Sequence, residues 1–195
     1  ERIIEDRDCT DEELRNNLTN AGVYCFKWQH LNEVLPTLST NNDQKELYLT
    51  ETIHKLANGI HIEVMDTDEI RGINNQQQLS ECEDLLQDRL RRHWMTQGVK
   101  FNSPYTSTIS EECKFGRGVI IEPNTHIRGD NIIGANSILG PNSFIENSTL
   151  GNNVCVFYSV INDSTIGSHV KIGPYAHIRP KTVINDNCKL GNFVE

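Results

Sequence analysis

The sequence has little of what binds nucleic acid, crosses a membrane or builds a metal or disulfide framework. Its 195 residues carry 18 lysines and arginines against 27 aspartates and glutamates, a formal charge of -9. An electropositive surface for phosphate backbones or anionic lipid is therefore not expected. Apolar runs are only a few residues long, far short of the roughly 20 residues of a transmembrane helix. The six cysteines form no CxxC pair, which disfavours zinc and favours a reducing, cytoplasmic location.

One repeat dominates the C-terminal half. A bulky apolar anchor recurs every six residues from Ile109 to Ile145 and continues to Leu190 with three steps shortened to five. Glycine often follows the anchor, and a small or β-branched residue often stands four places after it, as at Cys113 and Val160. The anchors are Ile109, Phe115, Ile121, Ile127, Ile133, Leu139, Ile145, Leu150, Val156, Ile161, Ile166, Ile172, Ile178, Ile184 and Leu190. This is a hexapeptide repeat.

A six-residue period predicts a triangular solenoid, in which each hexapeptide supplies one short strand and one turn. The anchor then fills the interior, and glycine or asparagine takes the unusual backbone angles of the corners. Neighbouring coils stack through parallel strand ladders. The cysteines of this region are expected to pack inside it, and its histidines to be solvated, because their spacing does not suit zinc. These residues are Cys113, Cys155, Cys188, His126, His169 and His177.

Two other patterns precede the repeat. Leu79, Cys82, Leu86, Leu90 and Trp94 form one stripe of an amphipathic helix, with Arg91 on another face and Gly98 at the expected stop. A helix of that length between unlike segments suggests a rigid spacer, and an ordinary surface helix is the alternative. Residues 22–26 and 60–64 are predicted strands, and residues 29–38 and 46–58 predicted helices. This is α/β material without a glycine-rich phosphate loop, so we expect its sheet to continue upstream.

Together these parts resemble the bifunctional N-acetylglucosamine-1-phosphate uridylyltransferase / glucosamine-1-phosphate N-acetyltransferase family. The motifs that carry the resemblance are IED at 4–6, NAG at 20–22, ELYLTE at 46–51, GINN at 72–75, GPYAHIRP at 173–180 and GNFVE at 191–195. Two departures from the family pattern, Lys45 for a glycine and Glu51 for an aspartate, lie away from the matched contacts.

The resemblance implies an α/β part followed by a β-solenoid. Residues 1–75 would be the C-terminal part of a Rossmann-like nucleotidyltransferase domain, and residues 76–98 a linker helix. Residues 99–195 would be the N-terminal part of the acetyltransferase domain, a left-handed parallel β-helix. The family's usual assembly, a homotrimer, is also expected. The chain opens at Glu1 without methionine and stops within a repeat, so we expect it to be a central fragment.

The resemblance also assigns roles to four residues. Glu5 and Asn20 would contact the sugar of a UDP-sugar, and Asn74 would bind substrate and help to hold Mg²⁺. Arg179 would grip the acceptor of acetyl transfer, since a guanidinium binds phosphate oxygens in pairs. Judged from the residues alone, Glu5 is an exposed carboxylate, Asn74 caps the following helix, and Arg179 is a solvated turn residue. The family's lysines, histidine base and tyrosine would lie beyond Glu195.

The implied activity of the parent protein is the synthesis of UDP-N-acetylglucosamine, a precursor of peptidoglycan and lipopolysaccharide. Acetyl-CoA would acetylate glucosamine 1-phosphate, and the product would then take a uridylyl group from UTP with Mg²⁺. The fragment itself is expected to be inactive, because it lacks parts of both sites. Two alternatives stay open, another sugar-phosphate nucleotidyltransferase with a hexapeptide tail and a non-enzymatic hexapeptide scaffold.

Overall fold

A computed structural model of the chain describes residues 3–4, 9–16, 18–56 and 59–195. Two compact units divide the chain, residues 1–78 and residues 79–195. In the described ranges, no helix combines the length and the apolar character that crossing a bilayer requires.

The first unit contains short helices joined by irregular chain. Its α-helices are α1 (Trp28–Val34) and α2 (Glu51–Lys55), and 3₁₀ turns cover Glu13–Arg15, Leu35–Thr37 and Thr67–Ile70. The helix predicted at 29–38 is present as α1 and the 3₁₀ turn that contains Pro36. Of the helix predicted at 46–58, the described residues keep only α2.

The strands predicted at 22–26 and 60–64 are absent from the described residues. Their apolar side chains lie in solvent, with Val23 79%, Ile60 90% and Ile62 83% exposed. An extended segment becomes a strand only when a neighbour takes its backbone hydrogen bonds. Here the described residues supply no such neighbour, so the alternating pattern alone did not make a strand.

The second unit is the predicted parallel β-solenoid. Most of helix α3 (Gln76–Thr96) also belongs to this unit, which begins at Leu79. Its strands are β1 (Lys100–Phe101), β2 (Thr108–Ile109), β3 (Lys114–Phe115), β4 (Ile120–Ile121), β5 (His126–Arg128), β6 (Ile132–Ile133), β7 (Ile138–Leu139), β8 (Phe144–Glu146), β9 (Thr149–Leu150), β10 (Cys155–Val156), β11 (Val160–Asn162), β12 (Thr165–Ile166), β13 (Lys171–Ile172), β14 (His177–Ile178), β15 (Val183–Ile184) and β16 (Lys189–Leu190).

Every third strand pairs, in parallel and in register. The three resulting sheets run β1-β4-β7-β10-β13-β16, β2-β5-β8-β11-β14 and β3-β6-β9-β12-β15. They form the three faces of a prism, so each anchor lies beneath its counterpart of the next coil, as Ile109 does with Ile127 and Ile127 with Ile145. Most anchors are at most 3% exposed, whereas Phe115, Ile184 and Leu190 are only partly buried. The predicted anchors are therefore confirmed as the core.

The small residue whose side chain points inward is predicted better by counting backward from the following anchor than by counting forward from the preceding one. Two residues before each anchor from Ile109 to Ile178 the side chain is buried, as at Ser148, Ser159 and Ser164, whereas Thr182 and Cys188 are half-buried. Val160, four places after Val156, does not hold this position, because the shortened step moves it to Ser159, and Val160 is only half-buried. A five-residue side keeps its strands in register with the neighbouring coils because its corner is one residue shorter. That corner still contains one residue with positive φ, such as Tyr158 or Asp163.

Helix α3 ends at a glycine, as predicted. Gly98 has φ +91°, its amide donates to the Met95 carbonyl at 3.1 Å, and the Val99 amide donates to the Trp94 carbonyl at 3.0 Å. These two bonds are a Schellman motif, which satisfies the last helical carbonyls. Because Val99 is 4% exposed, the motif also feeds the chain directly into the solenoid core.

The C-terminal half of α3 packs against the first coil and covers its end. Trp94 packs edge-on against Phe115 with ring centroids 5.0 Å apart. The Gln87 amide binds the backbone of Ile109 from both sides, accepting from its N–H at 3.0 Å and donating to its carbonyl at 2.8 Å. The apolar end of the prism is thereby covered.

Arg91 was predicted on a solvent face and is instead 6% exposed. Its Nη1 donates to the Ser107 carbonyl at 3.5 Å, and its guanidinium lies 5.4 Å from the Tyr105 ring centroid. A planar, weakly hydrated cation can stack on an aromatic ring in this way. Helical periodicity takes account of the helix alone and therefore predicted an exposed Arg91. The loop that contains Tyr105 and Ser107 packs over this face and buries the side chain.

Candidate functional site

Arg179 lies at an exposed corner of the solenoid. It directly follows β14, and its side chain is 63% exposed and ion-paired through Nη2 with Glu195 Oε1. Lys181, two residues on, is exposed and has φ +67°. The corner thus presents two cationic side chains to solvent, which suits an anionic ligand.

The backbone of Arg179 is held more firmly than its side chain. Its carbonyl accepts hydrogen bonds from Ser164 Oγ at 2.9 Å, from Thr182 Oγ1 at 2.7 Å and from the Thr182 amide at 3.3 Å. Ser164 is 4% exposed and comes from the preceding coil. The peptide after Arg179 is therefore fixed from two coils.

A charged column runs along the same edge. Arg128 pairs in register with Glu146, and Glu146 with Asn162. Because Ile178 pairs with Ile161, Arg179 takes the next place in this column, above Asn162. Arg128 Nε lies 3.6 Å from Glu146 Oε1, so Glu146, two coils before Arg179, is already paired with Arg128, three coils before it.

Asn20 and Asn74 lie in the first unit, both exposed. Asn20 Nδ2 donates to the Tyr24 hydroxyl at 2.6 Å, and its Oδ1 accepts from the Gly22 amide at 3.1 Å, a local turn. The Asn74 amide donates to Gln78 Oε1 at 2.7 Å. No hydrogen bond between described residues joins Asn20 to Asn74. Glu5 lies outside the described residues.

The cap of α3 belongs to Asn75 and not to Asn74. Asn75 Oδ1 accepts from the Gln78 amide at 2.9 Å, while the Gln78 side chain reaches back to the Asn74 amide. This reciprocal arrangement resembles a capping box. The expectation that Asn74 caps the helix with its side chain was therefore wrong by one residue, and the Asn74 side chain is not used for that purpose.

Among the described residues, no three histidine, cysteine, aspartate or glutamate side chains are grouped so that they could hold a metal ion. Of the repeat's histidines, His126 Nδ1 lies 2.8 Å from Thr108 Oγ1 and is exposed. Cys113 is a packing residue as predicted: it is 2% exposed, and burial raises the pKa of its thiol. Cys155 and Cys188 are half-buried.

Sequence reasoning singled out Arg179 through its motif and gave no indication of its contacts with Ser164, Thr182 and Glu195. A threonine shortly after a strand end, here four residues after Ile178, is a signal for a local turn. The Ser164 contact carries no such signal, because it joins residues 15 apart in sequence and depends on the exact length of the coil.

Comparisons with known proteins agree with the repeat. The family described as "Bacterial transferase hexapeptide (six repeats)" matches residues 112–147 and 163–195. A solved structure of a mutant perosamine N-acetyltransferase from Caulobacter crescentus, with CoA and GDP-perosamine, covers 56% of this chain and 62% of that chain at 16% identity. Its TM-score of 0.23 is too low to indicate a shared fold.

Relatives named bifunctional protein GlmU align with nearly the whole chain. The one from Synechococcus sp. strain RCC307 is 58% identical over 193 residues, which are 99% of this chain and 43% of that protein. The one from Synechococcus sp. strain CC9605 is 57% identical over the same shares. The one from Prochlorococcus marinus strain MIT 9211 is 53% identical over 195 residues, 100% of this chain and 43% of that protein. The chain thus spans less than half the length of these curated relatives. It is homologous, over essentially its whole length, to one stretch of the bifunctional GlmU proteins.

Proposed function

We propose that the protein containing this chain makes UDP-N-acetylglucosamine in two steps. In the first, the amine of glucosamine 1-phosphate attacks the thioester carbon of acetyl-CoA, the C–S bond breaks, and CoA leaves as its thiol. In the second, a phosphate oxygen of the N-acetylated sugar attacks the α-phosphorus of UTP and pyrophosphate leaves. The observation that carries this proposal is the 58% identity to a bifunctional GlmU protein over 99% of the chain.

Arg179 binds the phosphate of glucosamine 1-phosphate in the first step. Its guanidinium is 63% exposed and so is accessible to a ligand, and its planar fork can donate two parallel hydrogen bonds to phosphate oxygens. Glu195 pairs with the same guanidinium and leaves part of its donor set for the ligand, since arginine has five N–H groups. The phosphate is remote from the reacting amine, so Arg179 acts by binding and orientation.

Glu5, Asn20 and Asn74 serve the second step. The exposed amide of Asn20 donates and accepts within a fixed local turn, which suits sugar hydroxyls. The Asn74 side chain supplies one hard oxygen of the kind that Mg²⁺ prefers. A single amide oxygen does not make a magnesium site, and the described residues hold no grouped set to complete it. Of the ligands that a Mg²⁺ ion would need, this chain's proposed contribution is therefore the Asn74 amide oxygen alone.

The domain assignment follows the same reasoning. Residues 1–75 belong to the nucleotidyltransferase domain, residues 76–98 to the linker and residues 99–195 to a left-handed β-helix that assembles as a cytoplasmic homotrimer. Support for self-association comes from apolar side chains left on the solenoid surface, such as Ile132 at 47% and Val183 at 70% exposure. Ile132 and Val183 lie on the same sheet, in strands β6 and β15, so a second copy that covered this sheet would bury both.

The test replaces the matching segment of the Synechococcus sp. strain RCC307 protein with this chain. Release of CoA from acetyl-CoA with glucosamine 1-phosphate and release of pyrophosphate from UTP are followed in the same preparation. Both are expected. Arg179→Ala should weaken acetyl transfer by about tenfold or more, because a charged hydrogen bond to phosphate is lost, while uridylyl transfer stays near that of the unsubstituted chimera. Asn74→Ala should do the reverse.

The other outcomes support one of the alternative functions or contradict the role of Arg179. Pyrophosphate release alone, without CoA release, indicates another sugar-phosphate nucleotidyltransferase whose coils only assemble it. Neither activity in a folded chimera favours a non-enzymatic scaffold. Equal loss of both activities in Arg179→Ala, or loss of neither, contradicts the role given to Arg179.

A further inference from the structure

We infer that Ser164 and Thr182 are positioning residues for Arg179, which they hold through its backbone carbonyl in the geometry that binds the acceptor phosphate. The inference rests on the proposed function and adds to it residues that do not themselves touch substrate.

The first support is the number and origin of the bonds on this carbonyl. Three donors from Ser164 and Thr182 lie within 3.3 Å of this oxygen, and the single Ser164 hydroxyl proton is shared between it and the Asn162 carbonyl at 2.7 Å. Two of the three are hydroxyls from different coils. Such an arrangement leaves the peptide between Arg179 and Pro180 little freedom to rotate.

The second support is a buried polar ladder beneath it. The Ser164 amide donates to Ser148 Oγ at 3.0 Å, and the Ser148 amide donates to Asn131 Oδ1 at 2.9 Å. Ser148 and Asn131 are 2% and 0% exposed. These hydrogen bonds hold the Ser164 backbone in place, so the Ser164 hydroxyl has a fixed position next to the Arg179 carbonyl.

The third support is what holds the guanidinium. The only ion pair of Arg179 within the described residues is with Glu195, itself 58% exposed. A long, exposed side chain loses rotamer freedom when a ligand fixes it. Fixing the Arg179 backbone reduces the orientations that the side chain samples. The hydrogen bonds from Ser164 and Thr182 to the Arg179 carbonyl, here called the clamp, should therefore lower the entropic cost of binding phosphate.

The test uses the same chimera and compares matched hydroxyl variants. Thr182→Val removes one hydroxyl at a half-buried position with little change of shape, and Thr182→Ser restores the hydroxyl. Thr182→Val is expected to raise the KM for glucosamine 1-phosphate about fivefold with kcat nearly unchanged, because binding remote from the chemistry is lost. Thr182→Ser should stay within about twofold of the parent.

Ser164→Ala has its own control in Ser159→Ala. Ser159 is also buried, at 2% against 4% for Ser164, and its hydroxyl likewise donates to a carbonyl, that of Phe157, at 2.7 Å. Ser159 Oγ in addition accepts from the Ala176 amide at 3.1 Å, so Ser159→Ala should lose at least as much melting temperature as Ser164→Ala. Only Ser164→Ala should raise the KM for glucosamine 1-phosphate, and uridylyl transfer should be unchanged in both.

The outcomes separate the inference from the function. If Arg179→Ala loses acetyl transfer while Thr182→Val and Ser164→Ala keep the parent KM, the clamp has no positioning role and the function stands. If the two variants lower kcat and melting temperature at constant KM, their role is structural and the inference fails. If Arg179→Ala itself has no effect, the proposed role of Arg179 fails first. If Ser164→Ala does not fold, the Thr182 pair decides alone.

Discussion

The tight stacking of coils predicts that Gly151→Ala destabilises this chain through steric overlap. A Cβ built on Gly151 would lie 2.7 Å from the Ser168 amide nitrogen and 2.8 Å from the Gly167 carbonyl carbon. Both contacts are backbone atoms of the next coil, so no side-chain rotation relieves them. The φ of Gly151 is not in the left-handed region, and strain from the backbone angle does not contribute.

The magnitude follows from the space available. Restoring ordinary contact requires the coils to separate locally by about 0.7 Å, which would stretch the hydrogen bond of 2.8 Å from the Gly151 amide to the Ile166 carbonyl. Overpacking costs about 1–3 kcal/mol, and a weakened hydrogen bond adds about 1 kcal/mol. Alanine recovers about 0.4–1 kcal/mol through the unfolded state. We expect a net loss of about 1.5–3 kcal/mol, or about 4–10 °C in melting temperature for a chain of this size.

Two other glycines provide controls for this experiment. At Gly191 nothing lies within 4 Å of the built Cβ and φ is not left-handed, so Gly191→Ala should raise stability slightly. Gly98 also has open space but φ +91°, so Gly98→Ala should cost about 1 kcal/mol from backbone strain alone. Thermal unfolding followed by far-UV circular dichroism ranks the three variants. A Gly151→Ala melting temperature within about 2 °C of the Gly191→Ala value would refute the steric argument.

Three further outcomes can be checked on the same chain. Ile145→Ala, at a core position 0% exposed, should lose about 2–5 kcal/mol in urea unfolding, whereas Ile132→Ala, on the outer face at 47%, should lose far less. Gln87→Ala should increase amide exchange in the first coil, because two backbone groups lose their partner. The raised pKa of Cys113 keeps the thiol protonated at pH 8, so iodoacetamide should modify exposed Cys25 in the folded chain and leave Cys113 unmodified until unfolding, as peptide mass spectrometry would record.

The solenoid could be predicted from sequence because its periodicity repeats a single local rule. Each side places one anchor inward, and three sides return the chain to the same face, so an error at one side does not spread. The predicted anchors from Ile109 to Ile178 accordingly include most of the buried core. The first unit offers no such redundancy, since a lone alternating segment such as 60–64 becomes a strand only if a partner lies beside it.

The motif at 173–180 singled out Arg179, but the sequence did not predict which residues would contact its carbonyl. With six residues on every side, Ile178 would pair with Val160, eighteen residues earlier. The observed partner is Ile161, because the coil contains a five-residue side, from Ile161 to Ile166. That one-residue shortening sets which inward side chain of the earlier coil meets the Arg179 carbonyl.

The shortened sides therefore connect the fold to the proposed chemistry. Ser164 lies two residues before the Ile166 anchor, on the five-residue side, and its Oγ bridges the Asn162 carbonyl at 2.7 Å and the Arg179 carbonyl at 2.9 Å. A six-residue side would place one more residue between the Ile161 and Ile166 anchors and change that corner. The length of a side does not change whether its anchor is buried. It does determine which residue contacts the Arg179 carbonyl. A repeat that tolerates variation in its interior can in this way specify a single functional corner.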